Sequence, residues 1–177
     1  MLKVIIGILW AYLICLLLTI GVTATIQAQG AGSAVDLDGN NDYVNCGDNA
    51  SLYPTVSVTV EAWFKHTGEN GYIFSNWWGG GFRGINLGVY PSRNLRFTIG
   101  NNTSGQDSAD AGSKYNDGIW HHVAGVYDKA NLRLKIFIDG ILKQNKSTSI
   151  TSIAYGSNYS DYVTLGAVEN GQVFWWG

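Results

Sequence analysis

The chain has 177 residues, a length typical of one domain and sufficient to bury about 70% of the surface that its unfolded form would expose. Charged residues make up 14% of the sequence, and 23 glycines accompany only 2 prolines, a composition that fits a turn-rich β protein and excludes a mainly disordered or coiled-coil chain. The formal net charge is -2 and no lysine- or arginine-rich block is present, which argues against a nucleic-acid partner.

The first residues predict export. Lys3 precedes an apolar run from Val4 to Val22, and small and polar residues follow. This order is typical of a secretory signal peptide, predicted here as residues 1–28 with cleavage after Ala24 or Ala28. The alternative is an uncleaved membrane anchor, because 19 residues in a helix span about 28 Å. We therefore expect a secreted or cell-surface protein that contacts a membrane only if the leader is uncleaved.

One cysteine remains once the leader is removed. This residue, Cys46, has no partner for an internal disulfide, although the destination is expected to be oxidising. Because Cys46 alternates with Val44, we expect it to be a small buried apolar side chain rather than a reactive thiol.

Beyond the leader, apolar and polar residues alternate with the period of a β-strand. From Val56 to Phe64 every second residue is apolar, as in a half-buried strand. Leu132–Ile138 alternates likewise, Asp139-Gly140 predicts a type I′ turn, and Ile141–Lys146 should return antiparallel. The other predicted strands are Ser33–Leu37, Asp42–Cys46, Tyr72–Asn76, Gly84–Tyr90, Asn94–Ile99, Trp120–Tyr127 and Tyr162–Ala167. The pattern predicts an all-β chain folded as an antiparallel β-sandwich, or jelly roll.

Four segments carry a family resemblance, and in chain order they are Ala34–Val44 (AVDLDGNNDYV), Val58–Phe64 (VTVEAWF), Asp117–Asp128 (DGIWHHVAGVYD) and Leu134–Gly140 (LKIFIDG). This succession resembles the laminin-G-like jelly roll of the concanavalin A-like lectin and glucanase superfamily, and we assign the domain to residues 33–177. The resemblance implies two packed antiparallel sheets and a module for recognition or adhesion outside the cell. It does not imply a ligand.

The end of the sequence departs from the family pattern. Members usually continue after a strand like Tyr162–Ala167 into a final strand of the type Gly-x-Ile-Asp-Glu-Val-x-Ile, whereas this chain stops at Phe174-Trp175-Trp176-Gly177. We therefore expect the C-terminal closing strand to be lacking and the domain to be truncated, which would leave an unpaired edge. The alternative is that Gln172–Trp176 is itself the last strand.

No pair of catalytic carboxylates is recognisable in the sequence. Retaining glycosidases hold two carboxylates about 5 to 5.5 Å apart, but Glu61 has no second acid two or four positions further along its predicted strand. A Gly-x-Ser-x-Gly motif is absent too, and Cys46 has no histidine near it in sequence. We expect a protein that is not an enzyme, with Glu61 facing solvent.

Two adjacent histidines invite a metal interpretation. Neighbouring strand residues point to opposite faces, so His121 and His122 are not expected to bind one ion. His122 shares its parity with Trp120 and Val126, which predicts that it packs against the core. Trp63 and Trp120 are also expected in the core, because each lies within a patterned strand.

Asp36, Asp38, Asn40 and Asp42 cluster around a glycine turn. Calcium takes about 6 to 8 oxygen ligands, and these side chains with nearby carbonyls could supply several of them. They are the candidate site for a structural calcium, the one cofactor expected, and jelly rolls of the resembled family often hold such an ion. The alternative is an ordinary turn whose side chains satisfy local backbone amides.

The candidate ligand site is Asn76, Trp77, Trp78 and Arg83, beside a triple glycine. The two tryptophans must point in different directions, so one of them can be exposed and stack on a sugar ring. Asn76 and Arg83 can then bind its hydroxyl or carboxylate groups. The alternative is that the aromatic side chains fill the edge of the core.

These observations favour a non-catalytic extracellular recognition module, carbohydrate-binding or adhesive, whose partner is a glycan or another surface ligand. The alternatives are a structural or spacer jelly-roll domain of a larger protein, or the remnant of a glycoside hydrolase-associated protein. An exposed aromatic cleft on one sheet favours recognition. A smooth polar face favours the spacer.

Overall fold

The computed structural model describes residues 34–39, 41–77, 82–90, 94–102, 105–156, 162–168 and 173–174. The strands lie in the unit Asp36–Gly177. The predicted leader, residues 1–28, lies outside the described residues. Within the described ranges, no helix is both long enough and apolar enough to cross a membrane.

The chain is an antiparallel sandwich of two main sheets. In chain order the strands are β1 (Val44–Asn45), β2 (Val58–Phe64), β3 (Gly71–Ser75), β4 (Arg83–Val89), β5 (Leu95–Asn101), β6 (Gln106–Asp110), β7 (His121–Asp128), β8 (Arg133–Ile138), β9 (Ile141–Ser147), β10 (Thr164–Leu165), β11 (Ala167–Val168) and β12 (Val173–Phe174). A six-stranded sheet has the order β1-β10-β3-β4-β5-β6, a four-stranded sheet has the order β2-β7-β8-β9, and β11 pairs with β12. A 3-10 helix, Ala50–Leu52, lies between β1 and β2. The all-β sandwich predicted from the sequence is confirmed.

Alternation of buried and more exposed residues explains why the segments of the four-stranded sheet form strands. In β2 the exposed Thr59 and Glu61 alternate with half-buried apolar residues, and in β8 every second residue is buried. The predicted hairpin between β8 and β9 forms, with φ of 51° at Asp139 and 75° at Gly140. Positive φ at both central residues is what a type I′ turn requires, so this prediction is confirmed.

The hydrophobic core lies between the two sheets. At its centre Gly125 of β7 faces the ring of Phe97 of β5, and a Cβ atom on Gly125 would lie 2.2 Å from the Phe97 ring. The glycine therefore allows the ring to fill the space between the sheets. Tyr127 is fully buried beside them, and its hydroxyl donates a hydrogen bond to the Ile150 carbonyl (2.8 Å).

Three details at the sheet edges differ from the sequence predictions. Residues 34–37 form no strand, and the first strand is confined to Val44–Asn45 because β10 offers only two residues for pairing. Cys46 lies beyond the end of this strand and is exposed, so the expectation of a buried side chain is wrong. Strand β6 is not predicted by its polar sequence, yet it pairs with β5 and buries Ala109.

The two tryptophans expected in the core are exposed instead. Trp63 is 66% exposed and Trp120 is 51% exposed. The inward residues of β7 are His121, Val123 and Tyr127 with Gly125, and His122 lies half-buried on the opposite face. The sequence misleads here because a polar histidine and a glycine occupy the inward positions, while apolar residues occupy outward ones.

Strand β12 lies within the segment that the sequence offered as an alternative last strand, and it pairs antiparallel with β11. Residues 169–172 and 175–177 lie outside the described part of the chain. The expected C-terminal truncation stays a prediction.

Candidate functional site

Asn76, one of the four predicted ligand residues, is a packing residue in the structure. It is buried at the end of β3, its side-chain oxygen accepts a hydrogen bond from the Ile85 amide (2.6 Å), and its side-chain nitrogen donates to the Leu52 carbonyl (3.4 Å). A Cβ atom on Gly84 would lie 2.2 Å from the Asn76 carbonyl oxygen. These contacts hold Asn76 against the start of β4 and direct its carboxamide into the fold.

The other residues of this loop remain candidates. Trp77 is half-buried, and its amide donates to the Ser75 hydroxyl (3.1 Å). The Arg83 guanidinium donates through Nε to the Asn102 side-chain oxygen (2.6 Å). Trp78 lies outside the described residues. A ligand site at this loop stays a prediction.

The acidic turn shows the local hydrogen bonding expected of a turn. Asp36, Asp38 and Asp42 are exposed, and an Asp42 carboxylate oxygen accepts a hydrogen bond from the Asp38 amide (3.3 Å). Asn40 lies outside the described residues. Among the described side chains, no three His, Cys, Asp or Glu residues converge as metal ligands. Calcium binding at this turn stays a prediction.

The outer face of the six-stranded sheet carries a row of residues that combines an aromatic side chain with a charged pair. Tyr72 pairs with Gly88, Gly88 with Arg96, and Arg96 with Asp110, so the four are neighbours across β3 to β6. A Cβ atom on Gly88 would lie 2.6 Å from the Gly71 carbonyl oxygen and 3.0 Å from the Tyr72 ring, so the glycine allows β3 and its tyrosine to approach closely. The rings of Tyr72 and Tyr90 meet edge to face, with centroids 5.6 Å apart.

Arg96 and Asp110 form the charged end of this row. The two side chains are joined by an ion pair of 2.8 Å and are 26% and 22% exposed. The side-chain nitrogen of Asn94 and the Gly112 amide each donate to the other Asp110 oxygen at 2.8 Å. Burial raises the pKa of Asp110, but these hydrogen bonds and Arg96 outweigh it, so the net pKa is lowered. The pair is therefore fixed, charged and partly accessible.

A second row runs parallel to the first, from Thr164 of β10 through Ser75, Asn86 and Thr98 to Ser108 of β6. The Thr98 and Ser108 hydroxyls share a hydrogen bond (2.8 Å). Asn86 is 0% exposed, and neither its side-chain nitrogen nor its side-chain oxygen has a hydrogen-bond partner among the described residues. Unmet hydrogen bonding in a buried amide costs about 1 to 3 kcal/mol. The two rows, with Tyr90 and Asn94, are called the polar face below.

The two adjacent histidines contact different carboxylates on opposite faces of the four-stranded sheet. Glu61 is exposed as predicted, and its carboxylate lies 3.7 Å from His122 Nε2. His121 lies on the opposite face and contacts Asp117 (3.2 Å) and Asp139 (2.8 Å). The prediction that the two histidines point to opposite faces is confirmed.

Sequence reasoning missed the polar face, although part of its signal was present. The alternation in Gly84–Tyr90 and Asn94–Ile99 already separates Asn86, Gly88 and Arg96 from the apolar positions. Pairing of β5 with the unpredicted β6 is what brings Asp110 and Ser108 into the rows. The missing information was the strand register, which a single sequence does not state.

Comparison with known proteins assigns the family. The model of the Laminin_G_3 family, described as Concanavalin A-like lectin/glucanases superfamily, matches residues 38–177. The chain belongs to this family, and the resemblance read from the sequence is confirmed. No curated protein matches the chain in sequence.

Solved structures share the fold at low sequence identity. Domains LG4-5 of the mouse laminin alpha1 chain have a TM-score of 0.58 and 14% identity over 82% of this chain and 40% of that chain. The CBM40 of Ruminococcus gnavus IT-sialidase, bound to alpha2,3 sialyllactose, has a TM-score of 0.61 and 18% identity over 79% of this chain and 80% of that one. The NanB sialidase from Streptococcus pneumoniae has a TM-score of 0.54 and 19% identity over 78% of this chain and 23% of that one. This chain thus spans less than half of the laminin fragment and about a quarter of the sialidase.

Proposed function

We propose that this chain is a non-catalytic carbohydrate-binding module that acts outside the cell and holds a glycan on the polar face. The observation that carries the proposal is the row of Tyr72, Gly88, Arg96 and Asp110 across four strands. An aromatic ring next to a fixed charged pair suits a glycan, because the ring packs on sugar C–H groups and the charged groups bind hydroxyls.

Asn86 supports the same surface. Its carboxamide can donate and accept hydrogen bonds, as sugar hydroxyls also do, and it lies next to two hydroxyl side chains, Ser75 and Thr98. A buried amide without a partner is rare in proteins, and those that occur commonly bind a ligand or water or are held under strain. Ser75, Asn86 and Thr98 are at most 2% exposed, so this unused hydrogen-bonding capacity lies within the polar face, and the accessible groups are Tyr72, Arg96 and Asp110.

Binding rather than hydrolysis is proposed because of how the carboxylate on this face is held. Asp110 is tied to Arg96, Asn94 and the Gly112 amide, so it is a poor candidate for an acid or a nucleophile. The structure bound to sialyllactose gives the ligand class a precedent within the fold. Export is proposed from the leader at residues 1–28.

The test is a glycan array probed with the full-length chain and single variants. We expect the wild-type chain to bind at least one sialylated or neutral glycan. Tyr72→Ala and Arg96→Ala should each lower the affinity about tenfold or more, which is the loss expected for one strong contact. Arg133→Ala is the matched control, because Arg133 is also half-buried and hydrogen-bonded, to Asn145 and Ser147, but lies on the other sheet.

Two outcomes would contradict the proposal. One is a folded wild-type chain that binds no glycan on the array, which would favour the structural or spacer role. The other is an Arg96→Ala variant that binds as the Arg133→Ala control does.

A further inference from the structure

The outer face of the four-stranded sheet carries exposed aromatic and apolar side chains at one end. We call Trp63, Trp120, His122, Phe137 and Leu142 the aromatic face. Trp63 is 66% exposed near the end of the edge strand β2, and Trp120 and Leu142 are also exposed. Exposed apolar groups that adjoin one another are candidates for a contact surface, whereas single ones need no explanation.

Strand register makes this surface continuous. Trp63 pairs with His122, and their ring centroids are 5.3 Å apart. In the next row Ala124 pairs with Phe137, and Phe137 pairs with Leu142. The row after that contains Lys135, whose ammonium contacts Asp128 (3.1 Å). The apolar surface therefore ends after two rows.

Polar groups border the exposed indole of Trp63. Glu61 lies two positions before Trp63 on the same face of β2, and its carboxylate is 3.7 Å from the His122 imidazole. Lys65 is exposed and follows Trp63 by two positions. Residues two apart along a strand are separated by about 6.8 Å. An aromatic platform is thus flanked by a hydrogen-bond acceptor, a donor and an imidazole.

The size of the apolar surface argues against a second copy of the chain as its occupant. Four strands spaced about 4.8 Å apart and two rows about 7 Å apart give a footprint of a few hundred Å² at most. A standard protein interface needs about 800 Å² from each partner. The footprint instead suits a short stretch of oligosaccharide.

We propose that the aromatic face is a second glycan-contact surface, on which a neutral sugar ring stacks on Trp63 and directs its hydroxyls to Glu61 and His122. A neutral ring fits because the exposed Glu61 carboxylate would repel the carboxylate of an acidic sugar. The proposal shares its ligand class with the proposed function but concerns the opposite sheet. The two surfaces can therefore succeed or fail independently.

To test this, the full-length chain is titrated with four neutral hexasaccharides, namely cellohexaose, xylohexaose, mannohexaose and maltohexaose. Binding is followed by calorimetry and by tryptophan fluorescence. At least one of the hexasaccharides should bind. Trp63→Ala should lower its affinity about tenfold or more, and Trp63→Phe should restore part of it because an aromatic ring is kept. Val56→Ala is the matched control, since it removes another exposed apolar side chain just before β2.

Further variants and measurements distinguish glycan binding at the aromatic face from binding at the polar face and from self-association. Trp63→Ala should lower the affinity for the neutral hexasaccharide by more than Arg96→Ala does, because the two residues lie on different sheets. If Arg96→Ala abolishes this binding and Trp63→Ala does not, the polar face alone binds glycans and the inference is wrong. It is also wrong if no neutral hexasaccharide binds, or if the wild-type chain forms a dimer on sedimentation that Trp63→Ala abolishes.

Discussion

Two polar side chains on neighbouring strands differ in their hydrogen bonding. Asn86 of β4 and Thr98 of β5 are direct partners on the polar face, and both are buried. The Thr98 hydroxyl shares a hydrogen bond with Ser108, whereas the Asn86 carboxamide has no partner within the described part of the chain. Buried polar groups without partners destabilise a fold.

Replacing Asn86 should therefore stabilise the fold. In Asn86→Val we expect a rise of about 1 kcal/mol in the free energy of unfolding, because an unpaired amide is replaced by a β-branched apolar side chain that suits a strand. Urea unfolding measures this effect.

Thr98→Val is the matched control for this prediction. It removes a satisfied hydroxyl and leaves Ser108 without its partner, so the free energy of unfolding should fall by about 1 kcal/mol. If Asn86→Val destabilises the fold as much as Thr98→Val, the Asn86 amide has a structural partner and the prediction is wrong.

At the scale of elements, His121 joins two turns to the start of β7. Its ring contacts Asp117 in the preceding turn and Asp139 in the β8–β9 turn. The same two carboxylates accept the Ile119 and His122 amides. The turn that leads to Trp120 and the hairpin before Leu142 are therefore linked through one imidazole.

This link predicts a pH dependence of stability. Burial lowers the pKa of His121, but hydrogen bonds to Asp139 and Asp117 outweigh it, and the net pKa is raised above 6.5. The stabilisation by charged His121 is thus complete below about pH 6.5 and is lost as the pH rises through the raised value. The pKa of Asp139 is lowered by His121, so its contribution is present above about pH 3.8 and is lost as the pH falls through the lowered value.

Urea unfolding across the pH range tests this link. Above about pH 6.5 the wild-type chain should lose stability more steeply than His121→Gln, which keeps hydrogen bonding but cannot become charged. Tyr115 and Phe64 also face His121, and Lys143 lies over the Tyr115 ring, so Lys143→Gln is the control for the remaining nearby charge. Parallel pH profiles for the wild type and His121→Gln would contradict the prediction.

At the scale of the whole molecule, the two sheets approach each other closely at one glycine. Gly125 lies in β7 of the four-stranded sheet, and Phe97 lies in β5 of the six-stranded sheet. A methyl group on Gly125 would overlap the ring, which is fully buried. Packed cores do not yield easily to added atoms, because they already have the density of organic crystals.

Gly125→Ala should therefore destabilise the domain by about 1 to 3 kcal/mol, the usual cost of overpacking a core. Urea unfolding measures the effect. The double variant Gly125→Ala with Phe97→Leu should be more stable than the sum of the two single changes predicts, because the smaller side chain makes room for the methyl group. Additive effects would show that the two residues do not share this space.

Sequence reasoning identified the strands whose two faces differ most. Strands β2 and β8 and the Asp139-Gly140 turn follow directly from alternation and from the preference of a type I′ turn for Asp-Gly. The segment from Asp117 to Asp128 also gave the family. Strand β6 was missed because its polar residues have little intrinsic preference for a strand and are ordered by their partner β5.

The sequence by itself determined the class of fold, because strand alternation and turn residues are local properties of the chain. It did not determine which face of β7 packs inward, since that depends on Gly125 meeting Phe97 across the core. Only the tertiary structure exposed Trp63 and Trp120 and placed Tyr72 in one row with Arg96 and Asp110. The row of Tyr72, Arg96 and Asp110 arises from the register of the consecutive strands β3 to β6, whereas the aromatic face also needs β2 to pair with β7, far away in the chain. Burial of one face of each strand selects these registers.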